Sequence, residues 1–331
     1  MRYPIFSRRV GWALGCPAGL ESKPRAERPA HLGLGWLAGL MLLAVAVAPA
    51  RAASPLVLQT DFGVKDGAVA AMKGVAVGVS PTLAIYDLSH ENTPYDVWEG
   101  AYRLKQTAPF WPAGTVFVSV IDPGVGTERK AVVLKTKSGH YFVGPDNGTW
   151  TLVAEDLGVE AVRQIDETRH RRAGSEKSYT FHGRDVFAYV GAKLAAGVIT
   201  FEGVGPLLAP AVQKLNYAKP RLEGRALVGA IPVLDFQYGN VWTNLDEAWF
   251  ARLEPKLGEH FRVTITDADR AVYSGEMPYV RTFGEVPEGK PLLYVNSLMN
   301  VALAINQGDF AKAHHVASGA DWRVRVEKVQ P

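Results

Sequence analysis

Three short segments concentrate side chains that handle protons and hydroxyls. Asp61 lies in Thr60-Asp61-Phe62-Gly63, Asp122 in Asp122-Pro123-Gly124-Val125-Gly126-Thr127, and His182 in Thr180-Phe181-His182-Gly183-Arg184-Asp185. Each aspartate follows an apolar run of strand character, Leu56-Val57-Leu58 before the first and Thr115 to Ile121 before the second. In open α/β sheets ligands bind beyond the carboxyl ends of the strands, so two carboxylates there suit hydroxyls or a cation. A lone aspartate in such a place serves equally as the cap of the following turn. The glycines after Asp122 allow close approach of backbone to a ligand. No Gly-Lys-Ser/Thr follows, so this is not a phosphate loop. Arg129, seven residues past Asp122, has the reach to fold back onto that carboxylate and hold it ionised. His182, before a glycine at a helix start, suits a proton relay or a purely structural hydrogen bond.

Other chemistries find little support. The eight histidines are scattered, no HExxH or HxH occurs, and His314-His315 reads as a surface pair, so no metal site is expected. The single cysteine is Cys16, which leaves the chain beyond residue 52 without disulfides, thiolate ligands or a cysteine nucleophile. Gly144-Pro145-Asp146-Asn147-Gly148 is a turn by composition and is assigned no chemistry.

Alternating strand and helix signals position these residues. Val69, Met72, Val75, Ala76 and Val79 fall at helical spacing within 66–79, Leu83 to Leu88 is a second strand, and Tyr95 to Leu104 a second helix. The third strand, 115–121, is almost wholly apolar, as suits one buried on both faces. Short strands follow at 131–134 and 141–143, with helices near 150–155 and 185–196. This alternation predicts an α/β domain with a mostly parallel sheet over 53–205. A Pro- and Ala-rich stretch over 206–221 reads as a linker. Short β-like runs at 225–231, 240–243, 260–265, 271–273 and 291–295 predict a smaller all-β, barrel-like domain over 222–331.

Residues 1–52 read as a signal peptide: Arg8-Arg9, an apolar run from Leu32 to Val47, then Ala50-Arg51-Ala52 with small residues at the −3 and −1 positions. The expectation is an exported protein, periplasmic or secreted, with no membrane association after cleavage; the alternative is an uncleaved anchor. This segment holds seven of the 36 Lys/Arg and two of the 33 Asp/Glu, so the formal charge of +3 becomes −2 for the remainder. A near-neutral body gives no reason to expect nucleic acid or an anionic membrane as partner.

Taken in order, TDFG (60–63), DLSHENTPYDVWEGA (87–101), FVSVIDPGVGTERK (117–130), GPDNGT (144–149), TFHGRD (180–185), DFQYGNVWTN (235–244) and NS (296–297) resemble the S-adenosyl-L-methionine hydroxide adenosyltransferase family, relatives of the fluorinase and chlorinase enzymes. The resemblance runs from about residue 56 to 306. It implies an N-terminal α/β domain, a C-terminal β-barrel, and a homotrimer whose sites lie between the N-terminal domain of one subunit and the C-terminal domain of its neighbour. It implies S-adenosyl-L-methionine as substrate, with no cofactor. By the same resemblance Asp61 binds the ribose hydroxyls, Asp66 and Asp235 lie near the methionine amino group, and Tyr95 flanks the sugar. Tyr238 and Phe283 surround the adenine, Asn240 hydrogen-bonds the base, and Ser297 contacts the methionine carboxylate. The hydrolases of the family carry an Asp-Arg-His triad, here Asp122, Arg129 and His182; the halogenases replace that aspartate by tyrosine. One departure is Leu298-Met299-Asn300 after Asn296-Ser297, where relatives commonly have a small or basic residue and then Gly-Tyr. An arginine that in some relatives helps hold the substrate carboxylate is thus replaced by Leu298.

The implied reaction is attack of water at the ribose C5′ with loss of methionine, giving adenosine. Either Asp122 or His182 takes the proton. Two alternatives stand beside it: a halide-dependent adenosyl transferase on the same scaffold, and an exported nucleoside-binding protein without turnover.

Overall fold

The computed structural model describes residues 53–319 and 321–329; the candidate signal peptide and Cys16 lie outside them. A six-stranded sheet forms the first half. Its strands are β1 (Leu56–Thr60), β2 (Ile85–Ser89), β3 (Val116–Val120), β4 (Ala131–Thr136), β5 (Tyr141–Pro145) and β6 (Val159–Gln164), in the order β2-β1-β3-β5-β4-β6. β2, β1, β3 and β5 pair in parallel and β4 runs against its neighbours, so the sheet is mostly parallel. Side chains alternate between two cores, as the period of a strand requires. Leu56, Leu58, Val116, Val118 and Val120 face α1 (Ala68–Val79) and the 183–195 helix, while Val57 and Phe117 face α2 (Val97–Thr107) and α3 (Thr151–Leu157). After a short α4 (Glu167–His170), residues Gly183–Ala188 wind as a π-helix that continues into α5 (Tyr189–Ala195).

The chain leaves β1 toward β2 on one side and returns through α2 to β3 on the other. The connections therefore diverge between β1 and β3, the place where an open α/β sheet leaves a crevice. Thr60 lies opposite Val120 in the parallel register, so Asp61 and Asp122 emerge side by side from adjacent strand ends.

The second half is all β. Strands β7 (Arg221–Glu223), β8 (Ala226–Ala230), β9 (Val233–Asp235), β10 (Asn240–Asp246), β11 (His260–Asp267), β12 (Arg270–Pro278), β13 (Pro291–Val295), β14 (Asn300–Ile305) and β15 (Trp322–Lys328) form two antiparallel sheets, β13-β14-β10-β9 and β12-β11-β15-β8-β7. The sheets enclose one core built on Phe250, Phe261, Ile265, Leu303 and Phe310. The barrel expectation is corrected here: strand pairing leaves two open sheets rather than one closed barrel.

Residues 206–220 run along the first half as a strap. Gln213 N–H donates to Asp146, Leu215 N–H to Thr151 Oγ1, and Tyr217 O–H to Glu155. At the seam, Ala101, Tyr102 and Leu152 pack with Val233, Trp242 and Leu298. Leu298 is thus a packing residue at this join. Among the described residues no helix is long and apolar enough to cross a membrane.

Candidate active site

Asp122, Arg129 and His182 meet, although 60 positions separate the first from the last. Arg129 Nε donates to Asp122 Oδ1 and Oδ2 at 3.0 and 3.1 Å, and its Nη2 to Oδ2 at 2.6 Å. The same Nη2 lies 2.8 Å from His182 Nδ1, and the Phe187 ring covers the guanidinium at 5.3 Å. The Asp122-to-Gly126 turn makes this possible, with Gly126 at φ +78° reversing the chain toward Arg129. Both ionic side chains are nearly buried, 5% exposed for Asp122 and 9% for Arg129, which favours a bidentate pair over a loose surface contact.

His182 sits between two cations. Arg171 Nη2 lies 3.1 Å from His182 Nε2, on the side away from Arg129. A guanidinium only donates, and a neutral imidazole has one lone pair in the ring plane. With a guanidinium within hydrogen-bond reach of each ring nitrogen, that one lone pair is engaged by Arg129 at Nδ1 or by Arg171 at Nε2, and the other nitrogen faces a second donor. Burial first, then the charges of Arg129 and Arg171, lower the His182 pKa against the opposing pull of Glu167 and Asp122. The imidazole is held neutral with its acceptor occupied, which is a poor arrangement for a general base. Sequence reasoning missed Arg171. It belongs to the run Arg169-His170-Arg171-Arg172, which reads as a solvated basic stretch, yet its side chain is 8% exposed and lies over the Tyr179 ring.

Asp122 and His182 line a cleft of about 230 Å³ together with Asp61, Phe62, Tyr95 and Val125. Asp61 Oδ2 accepts the Tyr95 N–H at 2.8 Å; Tyr95 is left-handed, φ +68°. Burial, and secondarily the nearby Asp122 charge, raise the Asp61 pKa, while the Tyr95 and its own backbone N–H bonds lower it. Asn147, from the turn given no chemistry, donates to the Ile121 carbonyl at 2.9 Å and so anchors the residue before Asp122. Asp66 is not brought here: it is exposed, and its carboxylate accepts the Ala68 N–H at the start of α1.

The remaining candidates gather elsewhere. Asp235, Tyr238, Asn240, Phe283 and Ser297 line a cleft of about 880 Å³ in the second half, with Trp242, Tyr294 and Asn296. Asn240 Nδ2 donates to Asp235 Oδ2 at 3.1 Å. Phe283 packs on Tyr294 at 5.0 Å, and burial pushes the Tyr294 hydroxyl up to about 12. The two clefts share no lining residue. The smaller falls below the roughly 300 Å³ typical of ligand sites. Its rim is aromatic and open, Tyr95 being 73% exposed, and so is that of the other cleft, with Tyr238 at 66%. Among the described residues, no group of three or more His, Cys, Asp or Glu side chains is placed to hold a metal ion.

Comparison with known proteins matches residues 56–205 to the SAM hydroxide adenosyltransferase N-terminal domain and 229–323 to the corresponding C-terminal domain. A protein of Methanocaldococcus jannaschii named (R)-S-adenosyl-L-methionine hydrolase is 48% identical over 143 residues, 42% of this chain and 52% of that protein, so the match spans about half of that relative's length. A protein of the same name from Salinispora tropica is 38% identical over 267 residues, 80% of this chain and 95% of that protein. An uncharacterized conserved protein of Thermotoga maritima has a similar crystal structure, with TM-score 0.76 and 34% identity, covering 82% of this chain and 99% of that one.

Proposed function

Because this chain belongs to the S-adenosyl-L-methionine hydroxide adenosyltransferase family, we propose that it hydrolyses S-adenosyl-L-methionine to adenosine and L-methionine. Water oxygen bonds to the ribose C5′ as the C5′–S bond breaks. The sulfonium leaves as the neutral thioether of methionine, and one proton is released. The leaving group needs no acid, so the enzyme's work is to hold the water in line and take its proton. Positioning of that kind lowers a barrier by roughly 7–11 kcal/mol.

The observation that carries this reading is the chain Asp122–Arg129–His182 opening into the cleft that also holds Asp61. Arg129 fixes one edge of the Asp122 carboxylate, and a free lone pair receives the one proton the attacking water loses. His182 offers no free lone pair, so Asp122 is the acceptor and His182 lies against Arg129. Asp61, with Oδ2 held by the Tyr95 N–H, binds the ribose diol. The larger cleft supplies the adenine and methionine contacts through Tyr238, Asn240, Phe283, Asp235 and Ser297. Small-cleft volume and the exposed aromatic rims support a site closed by a second copy, in a homotrimer. Residues 1–52 support action outside the cytoplasm, which fractionation of cells tests directly.

The deciding experiment supplies each sulfonium epimer of S-adenosyl-L-methionine separately, in ¹⁸O-water. Adenosine carrying one heavy oxygen, with an equivalent of methionine, is the expected result. A 5′-halo-5′-deoxyadenosine in chloride or fluoride identifies a halide transferase instead, a reading the Asp122 charge disfavours because it repels an anion at the attack position. Tight adenosine binding with no methionine released over hours identifies a binding protein. Asp122→Ala is expected to abolish most turnover while adenosine still binds.

A further inference from the structure

The turn that carries Asp61 is clamped at both ends by one buried residue. His90, 4% exposed, lies in the loop after β2. Its main-chain carbonyl accepts the Gly63 N–H at 2.7 Å, and its ring Nδ1 lies 2.8 Å from Thr60 Oγ1. Asp61 and Phe62 lie between these two points.

The direction of each hydrogen bond can be assigned. His90 Nε2 lies 3.0 Å from Asp87 Oδ1, and Asp87 also pairs with Lys73 at 2.6 Å. Burial raises the Asp87 pKa, but the bonds from Lys73 and His90 more than offset it and hold the carboxyl ionised. A carboxylate only accepts, so His90 carries a proton on Nε2, and the neutral ring then has its lone pair on Nδ1. Thr60 O–H therefore donates to Nδ1, and Thr60 Oγ1 accepts the Phe62 N–H at 3.2 Å. The series runs from Lys73 at the surface to the peptide that follows Asp61, with every donor matched to an acceptor. A second hold comes from Asn92, whose Nδ2 donates to the Thr60 carbonyl at 2.8 Å. The same segment then delivers the Tyr95 N–H to the Asp61 carboxylate.

We propose that Thr60 and His90 are positioning residues that aim the Asp61 carboxylate at a vicinal diol, and so set the preference of this site for ribose over deoxyribose. The proposal rests on the ribose reading of Asp61. Thr60 is fully buried and its hydroxyl bonds His90 and the Phe62 N–H, so it acts through the turn.

The test measures binding of adenosine and 2′-deoxyadenosine by calorimetry to the wild-type protein, Asp61→Ala, Thr60→Val and Thr60→Ser. The wild type is expected to prefer adenosine and Asp61→Ala to lose that preference. Thr60→Val, which keeps the shape and removes the hydroxyl, is expected to reduce it by about tenfold, the value of one hydrogen bond. Thr60→Ser, which restores the hydroxyl, is expected to retain it. Should Thr60→Val fail to fold, Asp87→Leu at the half-exposed end of the series gives the second reading, with a smaller loss in the same direction. A wild-type preference left unchanged in Thr60→Val, or in Asp87→Leu where that variant is used, overturns the positioning role alone. A wild type with no preference removes the ribose reading of Asp61 and the positioning role with it.

Discussion

At the scale of single residues, the placement of His182 between Arg129 and Arg171 makes a specific claim about pH. Protonating the ring removes its one lone pair and sets a third cation between the two guanidiniums. The folded pKa lies below the ordinary 6.5 because of burial and the two guanidiniums. For a histidine depressed in this way, the folded state binds fewer protons than the unfolded one. Its contribution to stability is therefore present above the unfolded value and is lost as pH falls through the folded one. Arg171→Leu removes one of the depressing charges, so the acid limb of kcat should move to higher pH while the rate on the alkaline side changes little. A pH-rate profile, paired with an NMR titration of the His182 ring, reads both effects. An acid limb that stays in place shows that Arg171 does not bear on the imidazole.

Asp61 and Asp122 were recoverable from sequence because both follow apolar strands, and strand ends mark the crevice of an open α/β sheet. The approach of Arg129 also follows from a glycine turn of the right length. The partner on the far side of His182 does not follow, since a buried arginine in a basic run has the same local pattern as a solvated one.

At the scale of elements, the site depends on how closely β5 lies against β3. A Cβ added to Gly144 would stand 2.3 Å from the Ser119 carbonyl and 2.8 Å from the Trp150 ring. Neither a strand carbonyl nor a fully buried indole yields readily, so Gly144→Ala is expected to destabilise the fold by about 3 kcal/mol, at the upper end for overpacking. Chemical denaturation measures this, and a change below about 1 kcal/mol would mean that β3 and β5 separate freely. Helices α1 and α2 and strands β1 to β3 follow from apolar periodicity. β15 carries the period-two alternation of a half-buried strand, with Arg323, Arg325 and Glu327 alternating with its buried valines, yet it is missing from the runs predicted as strands; pairing with β11 and β8 places it. The π winding of 183–188 has no local signature beyond its glycine; Val186 and Phe187 pack into the sheet core from it.

At the scale of the whole molecule, the homotrimer proposed here predicts complementation. Asp122→Ala damages the small cleft and Asn240→Ala the large one, so each variant alone should be nearly inactive. Unfolded together at equal amounts and refolded, they should recover about a quarter of the wild-type rate, because a quarter of the interfaces then join two intact halves. No recovery in mixed oligomers would place both halves of the site within one subunit.

The strap over 206–220 has a further consequence. Gln213, Leu215 and Tyr217 are each tied to the α/β half, and Leu298 packs into the seam, contacts that oppose a swing of one described half against the other. In the proposed homotrimer, entry of a nucleoside and exit of two products would then proceed by loosening the contact between neighbouring subunits, or by local movement of rim side chains such as Tyr95. Small-angle scattering curves recorded with and without adenosine should superpose, where a bending enzyme would contract.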